Sequence, residues 1–144
     1  MATSKVIGFL LAFQAMLEAR PGLADVDVFT AHPGDDLPPE AIVVDRVTTD
    51  QSWAALGRQR REEGFVVFVV LHIERPGAGE AVAIEVRDRV YTLKAEVEEA
   101  LRADPSVSGS VRVADYARDE LRQGTGDHVR WAQLEAQIDA KVRI

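Results

Sequence analysis

The chain has 144 residues, 47% of them hydrophobic and 28% charged, a balance that supports a packed core and excludes an intrinsically disordered polymer. Its net charge of −7 argues against direct nucleic-acid binding, which rests on Lys and Arg neutralising phosphates. Without cysteine it has neither disulfides nor thiolate chemistry, and its length is that of one domain spanning 1–144.

The first predicted element is a helix. Thr3 or Ser4 caps it and Pro21-Gly22 ends it. Val6, Phe9, Leu10, Phe13, Met16 and Leu17 recur at 3–4 spacing, and Ile7, Leu11 and Ala15 widen the apolar stripe beyond one face. Such a helix is expected to be covered on two sides, by its own sheet and by a neighbouring subunit. The run 5–17 is too short to span a bilayer. It continues into Glu18 and Arg20 without a small-x-small cleavage site, so a cytosolic helix is expected rather than a signal peptide.

Residues 26–31 alternate and predict a short strand, and 32–40, with three prolines and a glycine, predict a turn-rich loop. Residues 41–49 predict the next strand. The polar stretch 50–64 reads as a long loop with a helical turn near Trp53. Residues 65–73, "FVVFVVLHI", form a β-branched, aromatic run typical of a central strand. After a break at 74–79, Val82, Val86, Val90, Leu93, Val97 and Leu101 predict a helix over 80–103, which Asp104-Pro105 stops. Residues 111–117 predict a strand and 122–127 a turn.

The segment 132–144 poses a conflict. Its Ala, Gln, Leu, Glu and Lys favour helix. Its apolar residues, Ala132, Leu134, Ala136, Ile138, Ala140, Val142 and Ile144, alternate without exception with polar ones. Pattern outranks propensity, so the segment predicts a strand. At about 40 Å it is long for this domain size, and as an edge it would need a partner. The order is α-β-β-β-α-β-β. The expected fold is α+β, a mainly antiparallel sheet with two helices packed on one face.

The search for chemistry is mostly negative. His32, His72 and His128 show no metal-ligand spacing with one another; His72 and Glu74 share one side of a strand but have no third ligand. "RPGAGE" (75–80) precedes a helix but lacks the phosphate-loop and dinucleotide patterns, and it reads as a turn. No serine sits in a nucleophile elbow. Asp35-Asp36, Glu62-Glu63 and Glu98-Glu99 read as solvated charges. No enzyme, metal or cofactor is expected. Trp53, with Arg58, Arg60 and Arg61 nearby, is a candidate contact cluster, because Trp and Arg are enriched at interaction hot spots. The alternative is that Trp53 folds onto the core and the arginines pair with Glu62 and Glu63.

In its order of elements the chain resembles the tail terminator (tail completion) proteins of long-tailed bacteriophages. The resemblance is carried by the apolar first helix, "PGLADVDVFTAHPGDDLPPEAIVV" (21–44), "DQSWAALGRQRREE" (50–63), the β-branched strand, "VEEALRADPSVSG" (97–109) and the alternating end "DAKVRI" (139–144). It implies a hexameric ring that caps the tail tube, ends its polymerisation and offers a surface to the head-side connector. The implied partners are copies of itself, the tail tube protein and the connector protein, with genomic DNA passing through the lumen without specific binding and no membrane involved. The implied location is the tail-neck junction of the virion, reached from the host cytoplasm. On this reading the partner-interface candidates are Trp53, Arg58, Arg60, Arg61, Asp35 and Asp36. Two other readings stand beside it. One is another neck component, such as a head-completion protein. The other is a small dimeric α+β ligand-binding or enzymatic domain, with His72, Glu74 and Tyr91 converging on a pocket.

Overall fold

The computed structural model describes residues 4–34, 36–53 and 61–143. Helix α1 (Val6–Glu18) leads through a 3-10 turn at Pro21–Leu23 to the short strand β1 (Asp27–Phe29) and then to two long strands, β2 (Glu40–Trp53) and β3 (Arg61–Pro76). Helix α2 (Glu80–Ala103) follows, and then β4 (Val113–Gly126) and β5 (Val129–Arg143). The strands form one sheet in the order β1-β2-β3-β5-β4. β1 runs parallel to β2, and every other pairing is antiparallel. The α+β class and the order α-β-β-β-α-β-β are those the sequence predicts. Among the described residues no helix is long and apolar enough to cross a membrane.

Both helices cover the same face of the sheet. Phe65, Val67, Val69, Leu71 and Ile73 of β3 point toward them, as do Ile42 and Val44 of β2 and Leu134 and Ile138 of β5. From above come Phe9, Phe13 and Leu17 of α1 and Val86, Val90, Leu93 and Val97 of α2. The Phe9 and Phe13 rings stack at 5.6 Å, and Phe65 meets Phe9 edge-on at 5.3 Å. The predicted alternation of β5 holds, with Ala132, Leu134, Ala136, Ile138 and Ala140 all buried.

Polar clamps tie the layers together. At the end of α1, Arg20 reaches Glu96 of α2 at 2.7 Å and Glu99 at 3.0 Å. Gln14 donates to the Val28 carbonyl of β1. Lys94 of α2 contacts Asp119 of β4 at 2.7 Å, and the same carboxylate accepts the Tyr116 hydroxyl. Burial, reinforced by Asp119, pushes the Tyr116 phenol up, and Asp119 holds Lys94 protonated. After α2, the Asp104 carboxylate accepts the Ser108 N–H at 2.7 Å and the Ser106 hydroxyl at 2.8 Å. This turn holds Val107 at φ 46°, a conformation that β-branched residues avoid, and burial of the Val107 side chain in the core compensates.

Four sequence expectations are corrected. The stretch 50–64 is not a loop at its ends: β2 runs on to Trp53 and β3 begins at Arg61, with Asp50, Gln51 and Ser52 paired to Gly64, Glu63 and Glu62. These residues are polar on both faces and so carry no alternation signal; the pairing strands impose the extended form. Nor is Glu63 solvated. It is fully buried and accepts the Lys5 N–H at 2.7 Å and the Gln51 amide at 3.2 Å, which places a carboxylate at the positive end of the α1 dipole.

The third correction concerns 122–127, which is strand up to Gly126. Only Asp127 and His128 turn the chain, with His128 at φ 58°. Gly124 marks a close approach rather than a turn: a Cβ there would lie 2.4 Å from the Trp131 indole. Gly124→Ala is expected to cost about 1–2 kcal/mol, since the ring must shift. Urea denaturation checks this, and an unchanged midpoint would remove the indole from that position.

The fourth concerns β5, which is not an edge. β3 covers one side along its length and β4 the other from Val129 to Lys141, because β4 is about twice as long as 111–117. The edges of the sheet are β4 on one side and, on the other, β1 with the part of β2 beyond it.

At the end of the sheet nearest the start of α2, Glu40 sits between two arginines. Arg89 donates to it at 2.9 and 3.1 Å, and Arg75 also contacts it. The Arg89 hydrogen bond, with Arg75, holds the Glu40 carboxyl below the ordinary glutamate value against the opposing effect of burial. A depressed folded-state pKa stabilises the protein above the unfolded value of about 4.5, and that stability is lost as pH falls through the folded value. Glu40→Gln is therefore expected to cost about 2 kcal/mol at pH 7. It should also flatten the loss of stability below about pH 4.5, measured as melting temperature against pH. A variant with the wild-type acid limb would remove Glu40 from that linkage.

Candidate functional site

β3 is apolar on both faces. The residues between those that meet the helices are Val66, Phe68 and Val70, and they point to the opposite, open face. Cross-strand neighbours complete a stripe there. On β2, Val43 pairs with Val70, Arg46 with Phe68 and Thr48 with Val66. On β5, Glu135, Gln137 and Asp139 stand opposite Val70, Phe68 and Val66 in turn.

Arg46 reaches this face through a bulge between Val44 and Arg46. Before the bulge the even residues Ile42 and Val44 face the helices. After it Val47 does, and Arg46 is re-aimed outward. Its guanidinium lies 4.0 Å above the Phe68 ring, a cation–π contact. A groove of about 240 Å³ beside it is lined by Asp45, Arg46, Phe68, Val70 and Glu135. Toward the Trp53 end of β2 a wider cleft of about 420 Å³ is bordered by Asp50, Val66, Asp115, Asp139 and Lys141.

A second apolar surface lies on the other side of the molecule. Along α1, Ile7 is 67% exposed, Leu11 58%, and Ala15 is exposed with them. Residues four apart lie on one helical stripe, so these three make a continuous strip pointing away from the sheet. Of the two sides of α1 expected to be covered, one packs on the sheet and the other, with Ile7, Leu11 and Ala15, is exposed.

His72 is 6% exposed on the open face, and its Nδ1 lies 2.9 Å from the Gln133 amide nitrogen, which donates to it. Burial lowers its pKa, with Glu74 acting in the opposite sense. His72 and Glu74 thus belong to the open face, whereas Tyr91 is exposed on α2, beyond the opposite face. The three do not converge on a pocket. Among the described residues no three or more of His, Cys, Asp and Glu gather as a metal-ligand set. The turn before α2 is built on Gly77 at φ 122° and Gly79 at φ 94°, which explains its glycines as backbone requirements.

Of the predicted interface residues, Asp36 is exposed. Trp53 and Arg61 are register partners at the ends of β2 and β3. Asp35, Arg58 and Arg60 lie outside the described residues. Sequence reasoning missed Arg46 and Phe68. The signal for Phe68 was the unbroken apolar run of β3, since strands covered on both faces read that way. Arg46 had no signal, because its outward aim depends on the bulge.

No family model and no curated protein matches the chain. Among solved structures it is similar to a chain in the virion of a native gene transfer agent particle. The likeness covers 92% of this chain and 93% of that one at 16% identity, with a TM-score of 0.43.

Proposed function

We propose that the chain is a structural subunit of a phage-like virion: a tail terminator that forms a ring on the end of the tail tube and joins it to the head-side connector. The observation that carries this reading is the pair of apolar surfaces on opposite sides of one sheet. A strand apolar on both faces and a helix apolar on two sides belong to a subunit that its neighbours complete. The resemblance in element order to tail terminators supports the particular role. The net charge of −7 suits a channel through which DNA passes without sticking.

Native mass by light scattering tests the proposal, with purified protein alone and with assembled tail tubes. A hexamer in either condition supports the terminator reading. A stable dimer that ignores tubes overturns it. A chain that joins filled heads without needing tails belongs instead to another neck component.

The segment that connects β2 to β3 is the proposed contact with the tube or with a neighbouring subunit. Reversing Arg58, Arg60 and Arg61 together to Glu is expected to leave the far-UV circular dichroism unchanged and to reduce tail joining by tenfold or more, about 1.4 kcal/mol in binding. Normal joining by this triple variant would remove these arginines from the interface.

A further inference from the structure

The ring reading leaves open which surfaces meet, and the geometry points to one pairing. We infer that the outer strip of α1 in one copy, Ile7, Leu11 and Ala15, seats on the open sheet face of the next copy, along Val66, Phe68 and Val70. The inference rests on the ring reading and goes beyond it by naming both sides of the contact.

The two surfaces lie on opposite sides of the molecule: α1 covers the helix side of the sheet, and Val66, Phe68 and Val70 face the other way. No chain can satisfy one with the other. A two-fold pair built on either surface would leave the second bare. A head-to-tail contact uses both in every copy, and repeated about an axis it closes into a ring.

Dimensions agree. From Ile7 to Ala15 the helix rises about 12 Å at 1.5 Å per residue. From Val66 to Val70 the strand runs about 13 Å at 3.3 Å per residue. The strip is a ridge and the face holds a groove beside Phe68, bordered by Arg46 and Glu135.

Charge sets the direction. The Val66 end of the face is bordered by three carboxylates, Asp50, Asp115 and Asp139, against Lys141, and the Val70 end by Asp45 and Glu135 against Arg46, so the acidic excess is larger at the Val66 end. The exposed Lys5 stands at the N-terminal end of α1. Ile7 of one copy therefore meets Val66 of the next, and Ala15 meets Val70. Arg46 lies over Phe68 in the isolated chain, and it shields the ring until the neighbour arrives.

The chain has no cysteine, so engineered pairs report contacts cleanly. Ile7→Cys in one population mixed with Val66→Cys in another should form a disulfide-linked dimer under mild oxidation, alone or on tail tubes. Ile7→Cys with Val70→Cys should give several-fold less. A second experiment needs no disulfide. Leu11→Asp and Val66→Asp should each lose the ring mass while keeping the wild-type circular dichroism. Mixed in equal amounts they should stop at dimers, because one intact contact remains per pair.

Ring mass retained by Leu11→Asp overturns the pairing and leaves the ring reading standing. So does a cross-link between two Ile7→Cys chains in place of the mixed product. A wild-type chain that is monomeric both alone and on tubes overturns both. If Val66→Asp loses its fold, Thr48→Lys on the neighbouring strand of the same face takes its place.

Discussion

Replacing Ile138 with Asp is expected to unfold the protein. Ile138 is fully buried in the middle of β5, with Val67 beside it on β3 and Tyr116 on β4. Removing its side chain from the core forfeits about 2–3 kcal/mol of apolar burial. The carboxylate that replaces it has no cation paired with it at that position. It must be desolvated or take up a proton, which costs several kcal/mol more. The sum matches the whole stability of a domain of this size, about 5–15 kcal/mol. Far-UV circular dichroism and urea denaturation check the outcome. Ile138→Val serves as the control and should lose only about 1 kcal/mol. A cooperative melt of Ile138→Asp at the wild-type midpoint would mean that β5 presents its other face to the helices.

Phe9→Ala is the second large effect, at about 3–5 kcal/mol. Phe9 is fully buried between Phe13 and Phe65, and it holds a helix of only 13 residues against the sheet. A helix that short has little stability of its own, so its docking decides whether it forms. Leu11→Ala is the matched control. Both residues are large and apolar, and they stand two positions apart on one helix. Leu11 faces outward, so in the isolated chain its loss should change stability by less than about 0.5 kcal/mol. Equal losses from the two variants, read from urea midpoints, would show that α1 is rotated from the position described.

What the sequence disclosed depended on whether a residue's neighbours lay on its own segment. The 80–103 helix was legible to the residue, because its stripe of Val and Leu and the Asp104-Pro105 stop are local. The alternation of 132–140 overcame a helical composition for the same reason. Residues 50–53, 61–64 and 118–126 were illegible as strand. They are polar on both faces or interrupted by glycine, and only the strands beside them hold them extended. Glu63 gave no sign of burial, since its partners, the Lys5 N–H and Gln51, come from elsewhere in the chain. In the candidate site, the second apolar stripe of α1 was visible as an excess. The open face of β3 was visible only as an unbroken run. The bulge that aims Arg46 was not visible at all.

The strand order carries a consequence for how the protein is made. β2 and β3 are joined by a short connection, as are β4 and β5, so each pair can form as a hairpin. The β3–β5 ladder is different: it pairs Pro76 with Val129 and Glu62 with Arg143, with α2 and β4 in between. Contacts so distant along the chain form slowly. Until β5 arrives, the most apolar strand of the sheet has one side bare, and strands in that condition are where chains associate wrongly. The middle of the sheet is thus filled by its last strand. Slow steps in refolding should be sought in the zipping of β3 to β5, starting from the Pro76–Val129 end, where the loop to be closed is shortest.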